Sequence, residues 1–307
     1  MTIKASDKLP NAFIIGAPKA GTTWLADNLS KHPELSMSNP KEPDIVGTHK
    51  GTFGRDYSEP NWDSYETCFN KEGIRIDSSV HTFSCPIAPK RIAEKIPRAK
   101  LILCLREPVE RSVSHWRMIV DLEADKRNGT DWKEFDLAWK DDRLRRESLY
   151  GESIKNWLEF FPISQFHIID SEEMKNNPKS VIYNIEEFLG LNHQQYINLE
   201  SNNSNRASDR RIKSDFGKKV STLASKIPFF LKAPLVYPLQ RLGINIYKSK
   251  LLTSKNPSYS MEQKYYTICG EEISKDLELF QKITKFRTEH WTKIISENLE
   301  TNFSKNS

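Results

Sequence analysis

The stretch Ala12-Phe-Ile-Ile-Gly16-Ala-Pro-Lys19-Ala-Gly21-Thr22-Thr23-Trp24 constrains this chain more than any other. An apolar run leads into a turn bounded by two glycines, and the turn leads into a segment with helical spacing. A continuous apolar run is buried on both faces, as strands of parallel sheets are. A glycine turn between such a strand and a helix aims backbone N–H groups at one point, and the helix N-terminus adds positive potential there. Gly16 and Gly21 let the main chain come close to an anion. Lys19 adds a point charge, and Thr22 and Thr23 add hydroxyl donors. The stretch predicts an anion-binding loop at the edge of an α/β sheet.

The rest of the chain agrees with such a sheet. Strand-like runs at residues 99–105 and 166–169, with weaker ones at 35–37 and 74–76, alternate with helix-like segments. That alternation predicts a P-loop-type, doubly wound parallel sheet flanked by helices. Helices are expected at 22–31, at 108–121 with Pro108 in the first turn, and at 179–189 with Gly190 as the C-terminal cap. A further helix at 258–280, followed by Trp291, is expected to pack back on the core. Polar residues 201–215 read as a loop, and 226–243 as an apolar segment broken by three prolines. The expectation is a single domain over 1–307. Its core is at 11–215, a mainly helical C-terminal extension at 216–298 and a disordered tail at 299–307.

Composition excludes several classes of function. The chain has 307 residues with Lys+Arg 46 against Asp+Glu 41, a net charge of +5. The charge is spread along the chain, which argues against a nucleic-acid-binding tail and leaves room for a local anion pocket. No run approaches the roughly 18 apolar residues of a spanning helix. Residues 1–10 hold no hydrophobic signal core, and Cys68, Cys85, Cys104 and Cys269 show no CxxC spacing. A cytoplasmic protein without a structural zinc or disulfide framework is expected, and no His/Cys/Asp cluster has metal-ligand spacing.

A second anion site is expected where Leu101-Ile-Leu-Cys-Leu-Arg106-Glu-Pro108 leaves a strand for a helix. Arg106 would stand at the carboxyl end of that strand, where open α/β sheets bind ligands, and can fork to a phosphate. Ser114 lies further along the helix as a hydroxyl donor. A pairing of Arg106 with Glu107 or Glu110 is the competing reading, and Arg111 reads as a surface ion pair. The first loop matches the nucleoside-triphosphatase pattern G-x-x-x-x-G-K-[ST] in its glycine spacing alone. Thr22 holds the lysine position, and Arg106 stands where a magnesium-binding Asp would be wanted.

Three segments together resemble the sulfotransferases that use 3′-phosphoadenosine 5′-phosphosulfate (PAPS). Residues 17–25 are similar to that family's 5′-phosphosulfate loop, with Lys19 in the place of its lysine. Residues 105–115 are similar to its 3′-phosphate motif, whose arginine and serine fall on Arg106 and Ser114. Tyr150 through Gly190, with Trp157, Phe161-Pro162, Glu172 and Phe188-Leu-Gly190, resembles its second half. Lys41-Glu42-Pro43 resembles the bacterial and glycan branch, which includes the heparan sulfate sulfotransferases. The continuation Asp44-Ile-Val46 departs from that branch's aromatic residues, and Asp77–His81 departs from its Lys-Ser/Thr-Pro-x-Tyr.

The resemblance implies sulfuryl transfer from PAPS to a hydroxyl or amine, with a saccharide, lipid or small metabolite as acceptor and no metal. It implies Glu42 as general base and Lys19 on the leaving phosphate. Donor contacts would come from Pro18, Lys19, Ala20, Gly21, Thr22, Thr23, Trp24, Arg106 and Ser114. Arg206, Arg210 or Arg211 would close over the 3′-phosphate. His49, His81 and His115 are rival bases, His81 foremost because it falls on the acceptor side. The apolar segment at 227–237 reads as packed chain, an acceptor lid or a membrane-surface contact. A P-loop kinase or NTPase, and a non-catalytic nucleotide- or glycan-binding protein, remain the alternatives.

Overall fold

The structure, a computed structural model, describes residues 8–195, 199, 211–213, 253–255 and 261–291. Arg206, Arg210, the segment 226–243 and the tail 299–307 lie outside the described residues. The chain divides into two compact units, one of residues 1–120, 124–201 and 261–307, the other of 121–123 and 202–260.

The first unit is built on five parallel strands: β1 (Ala12–Gly16), β2 (Leu35–Met37), β5 (Ile74–Asp77), β6 (Lys100–Leu105) and β7 (Phe166–Asp170), in the order β2-β5-β1-β6-β7. Between β2 and β5 lies a small hairpin, β3 (His49–Lys50) with β4 (Gly54–Arg55). All five residues of β1 are buried, as are Leu101 to Leu105 of β6, so the central strands are covered on both faces. The chain leaves β1 for one side of the sheet and later crosses to the other. Such a reversal opens a crevice at the carboxyl edge, beyond β1 and its neighbours.

The helices are α1 (Thr22–Leu29), α2 (Ala88–Lys95), α3 (Pro108–Asp121), the short α4 (Ala124–Arg127), α5 (Phe135–Trp139) and α6 (Asp142–Arg145), then α7 (Tyr150–Leu158), α8 (Ser171–Asn176), α9 (Pro178–Leu189) and α10 (Gln263–Thr284). α3 spans the expected range, opened by Pro108. α1 stops at Leu29, short of expectation, where the bonds tighten to i→i+3 turns, Lys31 N–H to the Asn28 carbonyl and His32 N–H to the Leu29 carbonyl, ahead of Pro33. α9 ends at Gly190 in the left-handed region, as its cap predicts. α10 is offset from its expected range and ends at Lys285, whose φ is +60°. In the second unit, β8 (Arg211–Lys213) pairs antiparallel with β9 (Thr253–Lys255). The polar stretch 201–215 is thus not wholly loop, and the extension after it is not wholly helical.

α10 closes the core of the first unit against α7. Asp276 accepts the N–H groups of Gly151 at 2.7 Å and Glu152 at 2.8 Å, capping the first turn of α7. Tyr150 packs edge-on against Phe280, and Trp291 returns to Tyr150. Trp157 is fully buried and donates its indole N–H to the Phe83 carbonyl at 2.9 Å. The approach of the two helices leaves no room beside Gly151, where a Cβ would meet the Asp276 carbonyl at 2.2 Å. Gly151→Ala should therefore destabilise the fold by about 1–3 kcal/mol, the usual cost of overpacking. A thermal melt should show a drop of several degrees.

Candidate active site

The turn after β1 is held from two directions. The Ala17 N–H donates to the Cys104 carbonyl of β6 at 2.6 Å, and the Phe83 N–H donates to the Ile15 carbonyl at 2.8 Å. Gly16 is pressed so closely that a Cβ would lie 2.8 Å from the Phe83 Cβ. Gly21 takes φ +88°, and Lys19, with a side chain, takes φ +72°. A non-glycine residue in that region carries a conformational cost, and such residues gather at functional sites. The N–H groups of Gly21, Thr22 and Thr23 donate to no main-chain carbonyl among the described residues. They stand at the N-terminus of α1, where the helix dipole favours an anion. Thr22 is buried and Thr23 exposed. Pro18 and Ala20 are buried walls of the turn, and Lys19 Nζ reaches Met118 Sδ of α3 at 3.7 Å. Trp24 is half-buried, with an indole N–H that finds no partner among the described residues.

The neighbouring strand carries the second expected anion site. β1 and β6 pair in parallel, with a one-residue irregularity between Ile14 and Gly16, so their carboxyl ends share one edge of the sheet. Arg106 follows β6, half-buried, and forks to Glu110 through Nη2 at 2.8 Å and Nε at 3.3 Å. This is the competing pairing named above. Ser114 is half-buried on α3. Glu107, which the residue pattern left as a mere pairing candidate, is buried and accepts the N–H groups of Val109 and Glu110 and the Tyr266 hydroxyl of α10. Burial raises its carboxyl from the ordinary 4.5 to about 7, against the pull of those donors.

The two segments expected to face the acceptor are joined to each other. Asp44 donates its N–H to Ser79 Oγ at 3.0 Å, tying the Lys41–Pro43 turn to the segment after β5. Glu42 is one-third exposed and paired to Lys41 at 2.7 Å, so the burial expected of a carboxylate base is absent at this residue. Asp44 has φ +50° and a carboxyl raised to about 6 by burial, with His81 pulling the other way. Asp77 is buried, with its carboxylate taken up by the Ser79 N–H and the Tyr65 hydroxyl. A cavity of about 380 Å³ lies beside the turn, lined by Pro40, Pro43, Asp44, Lys50, Asp56 and Glu59 among others.

Of the rival bases, His115 is fully buried, accepts from Thr52 at Nε2 and faces Glu147 at Nδ1. His49 lies by Thr48, whose N–H and hydroxyl, together with His49 itself, draw the Cys85 thiol down to about 6 despite burial. His81 is buried and bound to Glu147. Arg111 is not the surface residue its charge suggested. It is fully buried and contacts Glu147, Ser148 and the Leu144 carbonyl. No local signal marked this group, because Arg111 and Glu147 are 36 residues apart.

With this geometry in view, residues 9–232 match the family described as the sulfotransferase domain, and the chain belongs to that family. Mouse (Mus musculus) bifunctional heparan sulfate N-deacetylase/N-sulfotransferase 4 is 31% identical over 200 residues, covering 61% of this chain and 23% of that protein. Mouse heparan sulfate glucosamine 3-O-sulfotransferase 5 is 28% identical over 194 residues, 60% of this chain and 54% of that one. The chain thus spans less than two thirds of the length of these relatives. A sulfotransferase from Alicyclobacillus acidocaldarius shares the fold with a TM-score of 0.57 and 20% identity, over 92% of this chain and 98% of its own.

The Glu107 carboxyl generates a test. Its folded value lies above its unfolded one, so the stability it contributes is full below 4.5 and is lost as pH rises through about 7. Urea unfolding from pH 4.5 to 8 should show wild type losing stability relative to Glu107→Gln as pH rises. A constant difference between the two proteins would count against the assignment.

Proposed function

We propose that the chain transfers the sulfuryl group of PAPS to a hydroxyl or amine of a saccharide acceptor. One observation carries this reading: an N–H-lined loop with Lys19 at the end of β1 shares a sheet edge with Arg106 at the end of β6. PAPS has two phosphate centres, and two anion sites on neighbouring strands suit it where ATP would need one. The residues fit the donor in kind: unpaired N–H groups at a helix N-terminus for the 5′-phosphosulfate, and a guanidinium with Ser114 nearby for the 3′-phosphate.

In this reading Pro18, Ala20, Gly21, Thr22, Thr23 and Trp24 form the cradle. Lys19 stabilises charge gathering on the leaving phosphate. Arg106 exchanges Glu110 for the 3′-phosphate, and Arg206 and Arg210 cover it. Glu42 accepts the proton of the acceptor. The bound donor supplies the sulfuryl group, and the chain's part is to orient, neutralise and deprotonate. The replacement of the glycan branch's Lys-Ser/Thr-Pro-x-Tyr by Asp77–His81 takes a cation from the acceptor side, which favours a neutral or amine-bearing saccharide over heparan itself. A cytoplasmic location is part of the proposal, consistent with four buried, unbridged cysteines.

Thermal stabilisation by 3′,5′-adenosine diphosphate, 5′-AMP, ADP and magnesium-ATP tests the donor site. The 3′,5′-diphosphate at 100 times its Kd should add about 2.7 kcal/mol, and 5′-AMP should do far less. Arg106→Ala should erase that preference. Stabilisation by magnesium-ATP alone would install the kinase reading instead. Given transfer, Glu42→Gln should lower kcat about 10²–10⁴-fold with little change in donor binding.

A further inference from the structure

Glu147 lies fully buried at the centre of the first unit, with both carboxylate oxygens engaged. Oε1 accepts from His81 Nδ1 at 2.8 Å. Oε2 faces His115 Nδ1 at 2.7 Å and Arg111 Nη1 at 3.1 Å. Neighbouring imidazoles hold its carboxyl well below the ordinary range despite burial, so it is an anion. Burial lowers the His115 value, and the short contact of Nδ1 with Glu147 assigns the proton to Nδ1, so that Nε2 accepts from the Thr52 hydroxyl, while Arg111 Nη1 lies 3.1 Å from the same Nδ1. Arg111 then balances the charge of Glu147, and the buried group is paired.

His81 is the least deeply buried member of the group, 7% exposed where Arg111 and His115 are fully covered. It sits in the turn after β5, on the segment clamped to the end of β1 through Phe83. The groups facing it are Glu147 and His115 on the buried side, and Glu42 and Asp44 on the acceptor side. A histidine whose Nδ1–H is held by a carboxylate has its ring fixed and its basicity raised, and Nε2 is left for chemistry. We propose that Glu147 is a positioning residue that pins His81 by Nδ1, making Nε2 the nitrogen that exchanges a proton on the acceptor side. This rests on the sulfuryl-transfer reading.

The proton balance is simple. The acceptor O–H breaks as its oxygen bonds sulfur, the electron pair stays on oxygen, and the proton goes to the Glu42 carboxylate. Neutral His81 then takes that proton at Nε2, restoring the carboxylate, and releases it to water. The direction is downhill, because an imidazole is a stronger base than a carboxylate. Its neighbours raise the His81 value above 6.5, so the neutral, working form grows in as pH rises through that value.

The experiment is ¹⁵N–¹H NMR on the full chain labelled at histidine, with His81 assigned by His81→Asn. His81 should keep a protonated Nδ1 at all pH values and titrate at Nε2 with a midpoint above 6.5. A neutral ring protonated at Nε2, or a midpoint below 6.5, overturns the proposal without needing any Glu147 variant to fold. In transfer from labelled PAPS to glucosamine oligosaccharides, kcat should rise with pH through the same midpoint. His81→Asn should lower kcat at least tenfold, flatten that limb and leave the PAPS KM unchanged. Glu147→Asp should move both the NMR midpoint and the limb to lower pH, and an unmoved limb would count against the positioning role. Wild type that binds 3′,5′-adenosine diphosphate but shows the wrong tautomer sinks this inference alone. Wild type that fails to bind it sinks the functional reading, while the tautomer still decides the anchor.

Discussion

The carboxyl end of β1 is gripped from both sides, and the rest of the site hangs on that grip. Cys104 of β6 takes the Ala17 N–H, while Phe83 closes on Gly16 and bonds the Ile15 carbonyl. The first contact aligns the loop with the strand that delivers Arg106. The second brings in the segment 77–83 and with it His81. A glycine at position 16 is what lets the two sides come this near. Trp157 locks the arrangement from behind by bonding the Phe83 carbonyl, so a buried aromatic of α7 helps set the place of a loop it never touches.

The edge so built is divided by charge. On the side proposed for the donor stand Lys19, Arg106 and the N–H groups at the head of α1. On the other side stand Glu42, Asp44 and Asp77, with His81 between them and the buried Glu147. The division suits a reaction in which negative charge builds on a leaving phosphate while a proton departs from an acceptor. The acidic side is also where this chain leaves the glycan-branch pattern, at Asp44 and at Asp77–His81. The departure brings carboxylates where a cleft for an anionic polymer would want cations.

The sheet and the two strand-to-helix turns were legible because each depends on neighbours in sequence. An apolar run, a glycine turn and a capped helix are local events, and α3 and α9 fell where Pro108 and Gly190 indicated. The Glu107 and Glu147 environments were not legible, because they are made by distant partners: Tyr266 of α10 for the one, and Arg111, His81 and His115 for the other. Charge pattern alone placed Arg111 on the surface, since a lone arginine is usually solvated and its buried partner lay far along the chain. Glu42 shows the converse. Its motif singled it out, yet its surroundings, open and paired with Lys41, match an ordinary surface carboxylate.

The first unit is discontinuous in sequence. Its last helix, α10, is made only after residues 202–260, which belong to the other unit. During synthesis, when chains fold from the N-terminus onward, α7 must wait with Tyr150 and its first-turn N–H groups uncovered until α10 supplies Phe280 and Asp276. Tyr266 likewise arrives late to Glu107, the residue next to Arg106. The nascent chain therefore carries an unfinished core, and a Glu107 without its Tyr266 partner, until α10 has been translated. A ribosome stalled within 202–260 would hold a chain with the turn after β1 made and the α7 side of its core open.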